Sequence, residues 1–261
     1  MPSSNVAWDI TGSVGVVTFH RPEARNALTW DMYDALLAAL DSAEANPAVR
    51  AIIIRGSAGA FAAGTDISQF RDFDGAAGVA YERRLDAAMD RIERVPLVTI
   101  AEVDGAAVGG GCAIAMACDV RLCSERAQFG VPVARTLGNC LSMANTARMV
   151  DLLGPSLTRE LLLTGRLMNA QEASAAGFVH AVVPSSELPQ EARKRAVELS
   201  MRARSTIAAT KTILNRLRDF RRPPADCADD VLRETYGSAD FKEGVAAFLA
   251  GRRPHWLKAE D

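Results

Sequence analysis

The segment that most restricts how this chain can fold runs from Leu97 to Ser124, LVTIAEVDGAAVGGGCAIAMACDVRLCS. It opens with an apolar run that reads as a buried strand, LVTIAEV, and reaches three consecutive glycines, Gly109 to Gly111. A helix of small residues follows through Met116, and then a second strand from Asp119 to Ser124. Glycines at a strand-to-helix turn let backbone N–H groups come close to a ligand, because no Cβ stands in the way. The local pattern therefore asks for a close backbone approach beside a tightly packed helix.

The rest of the chain narrows the classes that can use such a turn. Its 261 residues suffice for one large domain or for a core with an appendage. Thirty basic residues against 32 acidic ones leave a net charge of −2, so neither nucleic acid nor an anionic membrane is an expected partner. The start, MPSSNVAWDI, lacks the basic and apolar regions of a secretory signal, and no run of about 18 apolar residues occurs. A cytoplasmic protein is the expectation. Cys112, Cys118, Cys123, Cys140 and Cys227 form no C-x-x-C pair and read as reduced thiols. His20, His180 and His255 have no metal-ligand spacing, so no metal is expected, and the first two read as strand-edge or capping residues. GAFAAGTD has the glycine spacing of a phosphate loop, yet Thr65 and Asp66 replace its lysine and hydroxyl residue. GGGCAI carries Ile114 where a third dinucleotide-binding glycine belongs, and no G-x-S-x-G elbow is present.

Periodicity predicts strands over Gly15–His20 and Ala51–Gly56, with a helix over Trp30–Asn46 between them. That helix aligns Tyr33, Leu36, Leu37 and Leu40 on one face, with Asn26 or Thr29 as its cap. Leu85, Met89 and Ile92 mark a second helix. The rhythm of short strands and helices predicts an α/β protein of stacked ββα units. Beyond Pro189 only helical patterns remain, so residues 1–190 read as the core and 191–261 as a helical region whose apolar stripes suit oligomerisation.

FAAGTDI and VGGGCAI share a design: small residues and a glycine at a strand exit. Two backbone N–H groups converging on one point polarise a carbonyl without any titratable side chain, and a helix N-terminus adds its dipole. Tight turns in a small-residue core are the plainer alternative. The segments RPEARNAL, FAAGTDI, VDGAAVGGGCAIAMACDVRLCSERAQFGVP, LLLTGRLMNAQEASAAGFVHAVVP and FKEGVAAFLAGRRPHW, in order over about residues 5–258, together resemble the crotonase superfamily, the enoyl-CoA hydratase/isomerase family. The resemblance implies a crotonase-like spiral of ββα units, a C-terminal trimerisation region, and homotrimers or homohexamers. It implies an acyl-CoA substrate, with the CoA thioester itself as the only cofactor-like group. Its thioester oxygen would be held by the amides of Thr65 and Gly110. Arg25, Ala63 and Ile67 fall where the family contacts CoA, and Arg252, Arg253 and Lys258 are further positive charges near the C-terminus.

One departure bears on the reaction. Hydratase-like members use two glutamates, one two residues after the triple glycine and one after the proline of F-G-x-P. Ala113 and Val133 occupy those positions. A positioned acid or base contributes about 10²–10⁴ in rate, so hydration of simple enoyl-CoAs is expected to be weak. Glu82 and Arg135 are the replacement candidates. Glu82, beside Arg83 and Arg84, also reads as an exposed helix charge, and Arg135 as a salt-bridge partner. Asp72, Asp74, Asn139, Cys140, Tyr236 and His255 are weaker candidates, the last two reaching a site across a subunit contact. The expected function is an acyl-CoA-processing enzyme of the hydratase/isomerase type. A non-hydratase member (decarboxylase, isomerase or thioesterase) and an inactive acyl-CoA-binding relative are the alternatives.

Overall fold

The structure is a computed structural model that describes residues 5–224 and 226–256, so Lys258 lies outside the described residues. The chain forms two compact units, each built from three separate stretches of sequence. The first comprises residues 1–65, 88–129 and 168–222, and the second residues 66–87, 130–167 and 223–261.

A six-stranded sheet is the centre of the first unit. Strands β1 (Val6–Thr11) and β2 (Val14–Phe19) form an antiparallel hairpin turning at Gly12, whose φ is 60°. β3 (Ala51–Gly56), β4 (Val98–Val103), β6 (Val120–Ser124) and β9 (Ala181–Val183) then add in parallel, in the order β1-β2-β3-β4-β6-β9. Parallel strands covered on both faces need apolar residues at successive positions, and every residue of β4 is buried. One face carries Val14, Ile53, Ile100 and Leu122 against Leu188, Ala192 and Ala196 of α7 (Leu188–Ser200). A small second sheet joins β5 (Ala106–Val108), β7 (Gln128–Gly130) and β8 (Met168–Asn169). Helix α1 (Trp30–Ala45) matches its expected span, and α3 (Gly110–Ala117) is buried throughout. Asn169 and Glu172 close a reciprocal capping box on α6 (Ala170–Ala175).

Two local expectations change. Strand β1 precedes the first strand read from the sequence, because its alternating pattern is half exposed on an edge. Thr29 caps α1, whereas Asn26 is fully buried in the left-handed region and donates to Ser57 O and Ala60 O at 2.9 and 2.8 Å. Asn26 thus braces the loop after β3 instead of starting the helix.

Helix α8 (Arg204–Arg221) is anchored by Lys211, which is 7% exposed. Its ammonium donates to Leu97 O at 3.1 Å and to Asp119 Oδ2 at 2.5 Å. The same carboxylate oxygen accepts from the N–H and hydroxyl of Thr99. Farther along, Ile213, Leu214, Leu217 and Phe220 are exposed, Phe220 at 89%. The second unit holds the first part of α2 (Gly75–Arg94), together with α4 (Val133–Thr136), α5 (Met143–Thr164), α9 (Asp229–Gly237) and α10 (Ala239–Leu249). Gly154 (φ 72°) and Pro155 interrupt α5. Rings of Phe70, Phe73, Tyr81, Tyr236 and Phe241 form its aromatic core. A methyl group at Gly78 would lie 2.2 Å from the Tyr236 ring, which accounts for a glycine inside α2.

Lys211→Met, which keeps the stem and removes the charge, is expected to lower unfolding free energy by about 1–3 kcal/mol because Asp119 and Leu97 O lose a buried donor. Urea unfolding of the two proteins measures this.

Candidate active site

The site begins where two loops of the first unit meet backbone to backbone. After β3 the chain runs through Ser57–Thr65, and after β4 through Asp104–Gly109 into α3. Ala62 N donates to Ala106 O, and Val108 N donates to Ala62 O, both at 3.0 Å. Phe61 N also donates to Ala106 O. The first loop is held from its other side: Leu28 N donates to Gly64 O at 2.7 Å, and Ala63 N donates to Arg25 O at 3.1 Å. This order explains the glycines. Gly64 and Gly109 have φ of 101° and 53°, in the left-handed range that favours glycine. A methyl group on Gly111 would lie 2.2 Å from Ala62 O. On Gly110 it would lie 2.3 Å from Tyr33 Oη, 3.1 Å from Thr65 Oγ1 and 3.6 Å from Thr65 N. The triple glycine is therefore a contact surface for the first loop.

Thr65 and Gly110 lie side by side, with Thr65 N 3.6 Å from where a Cβ on Gly110 would stand. Gly110 is the first residue of α3, where an N–H has no acceptor within the helix and sits at the positive end of the macrodipole. Thr65 is 7% exposed and pairs with Leu28 in a parallel bridge. No residue of α3 is ionisable except Cys112, and Ala113 is buried at 2% exposure. Arg25 and Ala63 are joined by their backbone bond, with the Arg25 side chain exposed. Ile67 is buried at the start of a short 3-10 turn opened by Asp66. Arg252 is exposed and held by Glu243.

The second unit places the remaining candidates. Glu82 is 4% exposed, so the exposed-helix reading of this residue is wrong. Its neighbours Arg83 and Arg84 do face solvent, and helical rotation turns Glu82 inward beside Tyr81 and Leu85. Tyr236 Oη donates to Glu82 Oε1 at 2.5 Å, and Ser142 N donates to Oε2 at 3.2 Å. Asn139 Nδ2 donates to Tyr236 Oη at 2.9 Å. Burial raises the Glu82 carboxyl to about 7; Asp86 adds to the rise, while the Tyr236 and Ser142 bonds oppose it. Tyr236 does not reach across a subunit contact, since it is fully buried in its own unit. Its hydroxyl is raised well above the ordinary range, first by burial and then by the Glu82 charge.

Arg135 is exposed, and no ion pair holds it among the described residues. Val133 opens α4 and is half-buried. Asp74 is exposed and accepts from Ala77 N as a helix cap, and Asp72 is exposed. Burial pushes the Cys140 thiol up, away from the reactive thiolate. His255 is exposed and gives its backbone N–H to Glu243. Two residues escaped the sequence reading. Tyr33 was assigned to the apolar stripe, yet its hydroxyl reaches Thr65 Oγ1 at 3.4 Å. Glu102, the one acid in a buried strand, is 6% exposed, with a carboxyl raised by burial and partly offset by Arg55. Its isolation within LVTIAEV was the available signal.

A parallel-rich α/β core with two glycine loops closing on Thr65 and Gly110 defines the class of protein, and comparison with known proteins gives the family. The family model for enoyl-CoA hydratase/isomerase matches residues 9–259, and the chain belongs to that family. It is 35% identical over 249 residues to the "Probable enoyl-CoA hydratase echA8" of Mycobacterium bovis, covering 93% of this chain and 94% of the relative. It is 32% identical to the mitochondrial enoyl-CoA hydratase of Pongo abelii, covering 94% and 83%. Among solved structures, methylmalonyl-CoA decarboxylase in complex with 2-nitronate-propionyl-CoA superposes with a TM-score of 0.87 at 26% identity, covering 97% of this chain and 98% of that one. The crotonase fold read from the motifs is thus the observed fold. No helix among the described residues is long and apolar enough to cross a membrane.

The raised Glu82 carboxyl has a consequence for stability. An acid whose folded value (about 7) exceeds its ordinary 4.5 binds its proton more tightly when folded. Its contribution is present at low pH and is lost as pH rises from 4.5 through about 7. Glu82→Gln, which carries no titrating group, is therefore expected to gain on the wild type by on the order of 3 kcal/mol between pH 5 and 8. Denaturant unfolding of both proteins across that range reads the difference.

Proposed function

We propose that the protein is an acyl-CoA enzyme that holds its substrate's thioester oxygen between the backbone N–H groups of Thr65 and Gly110 and stabilises the negative charge that forms there. The observation carrying this reading is the closure of the two loops, with Thr65 N 3.6 Å from the position a Cβ on Gly110 would occupy. Two fixed donors in a buried setting need no reorganisation as charge develops, and loss of one such donor elsewhere costs about 10²–10³ in rate. Arg25 stands at the edge of the first loop, exposed and positively charged, and suits the CoA phosphates. Ala63 and Ile67 flank the same loop and suit the rest of the CoA moiety.

Ala113 and Val133 occupy the two hydratase positions, so the chain carries no carboxylate at either, and activation of water is not the expected strength. Reactions that form an enolate without a base fit better. Loss of CO₂ from a 2-carboxyacyl thioester is one: the C–C bond breaks, its electron pair enters the enolate, and a proton returns to the α carbon. The similarity to a methylmalonyl-CoA decarboxylase favours this second, narrower reading. We further propose that the exposed apolar side chains of α8, Ile213, Leu214, Leu217 and Phe220, are covered in a homotrimer or a pair of trimers.

Incubation with crotonyl-CoA in D₂O, followed by chromatography with mass detection, tests the hydration side. Conversion to 3-hydroxybutyryl-CoA is expected to run at least about 10² below that of a two-glutamate hydratase, and an equal rate would overturn the reading. With a 2-carboxyacyl-CoA, release of CO₂ with deuterium at the α carbon is expected. Gly110→Ala is expected to lose turnover of any substrate by at least about 10², because the new Cβ meets Tyr33 and Thr65.

A further inference from the structure

Two buried hydroxyl groups stand against the paired amides. Tyr33 is 1% exposed, and its Oη lies 3.4 Å from Thr65 Oγ1. Together these oxygens fill the space that a side chain on Gly110 would take. A phenylalanine would supply the same ring to the core of α1, so the hydroxyl calls for its own account. Burying it costs free energy unless it finds a partner.

The same short stretch of chain grips the first loop twice. Leu28, just before the cap of α1, takes Gly64 O into a backbone bond and bridges to Thr65. One helical turn later Tyr33 meets the Thr65 side chain. The residues leading into this grip are Ala62, Ala63 and Gly64, and a glycine, here at φ 101°, adds little conformational restraint of its own. An oxyanion site works only when its donors are fixed before the charge appears.

We propose that Tyr33 is a positioning residue for the thioester-oxygen site, holding Thr65 through its hydroxyl so that the Thr65 and Gly110 amides keep the separation one oxyanion requires. This rests on the reading of those two amides given above. No proton is transferred by Tyr33; its hydroxyl and that of Thr65 act as one coupled unit between the two loops. Thr65 then has two parts: its N–H faces the ligand, and its side chain is the handle by which α1 sets that N–H in place.

The probe is acetoacetyl-CoA, whose enolate absorbs in the near ultraviolet. The bound fraction present as enolate measures how well the site stabilises negative charge, and the binding titration separately measures affinity. Wild-type protein is expected to raise the enolate fraction above that of free probe at the same pH. Tyr33→Phe and Thr65→Ala are each expected to reduce the enolate-to-keto ratio of bound probe by about threefold to tenfold, with keto-form affinity within about twofold. Thr65→Ser, which keeps the hydroxyl, is expected to restore it. The double variant is expected to lose no more than either single one, the mark of two groups acting together. A wild-type protein that binds the probe without increasing its ionisation overturns the amide reading and this proposal with it. A wild type that does ionise the probe, with Tyr33→Phe unchanged or with losses that add in the double variant, overturns the role of Tyr33 alone. Should Tyr33→Phe fail to fold, the Thr65→Ala and Thr65→Ser pair decides: a serine variant no better than alanine overturns the proposal.

Discussion

Everything at this site depends on three backbone hydrogen bonds that lace the loop after β3 to the loop after β4, from Phe61 and Ala62 to Ala106 and from Val108 to Ala62. They bring two main chains to a separation that side chains would prevent. Gly111 meets Ala62 O, and Gly110 meets Thr65 and Tyr33, so the glycines are required by the neighbouring strand and not by local turn geometry alone. The parallel register of β3 and β4 sets both strand ends at one level, and the loops leave from there. A sheet with its exits aligned, followed by glycine at the contact points, produces paired amides without a single charged group.

With Ala113 and Val133 at the two hydratase positions, the proposed function leans on backbone donors and not on acids. Backbone donors do not titrate, and their usefulness comes from being held in place. Two buried ionisable groups lie in structural networks. Lys211 and Asp119 anchor α8 beside the starts of β4 and β6, and in the second unit Glu82 ties α2 to Tyr236 of α9 and to the start of α5. Glu82 keeps its proton into the neutral range because burial outweighs the two bonds that favour its charge.

Much of the fold was legible in the chain itself. The run LVTIAEV is apolar at successive positions because both faces of β4 are covered, and α1 shows its stripe because only one of its faces is. The half-exposed β1 on the sheet's edge carries a weaker pattern and was missed. Candidate side chains fared unevenly for a physical reason. Glu82 has two arginines beside it in sequence, yet a helix turns about a hundred degrees per residue, and the arginines point to solvent while Glu82 points inward. Arg135 suggested an ion pair, but pairing requires an acid close in space, and none holds it among the described residues.

The sequence by itself determined the family, the alternation of strand and helix, the two glycine loops and the absence of both hydratase acids, since each of these is written in residue type and spacing. Tertiary structure alone decided that the glycines are pressed by Ala62, Thr65 and Tyr33, that Glu82 is buried against Tyr236, and that Lys211 ties α8 to Asp119 and Leu97 O. These facts join residues tens to more than a hundred positions apart, and what a carboxylate or hydroxyl does depends on what surrounds it once folding has brought those distant groups within reach.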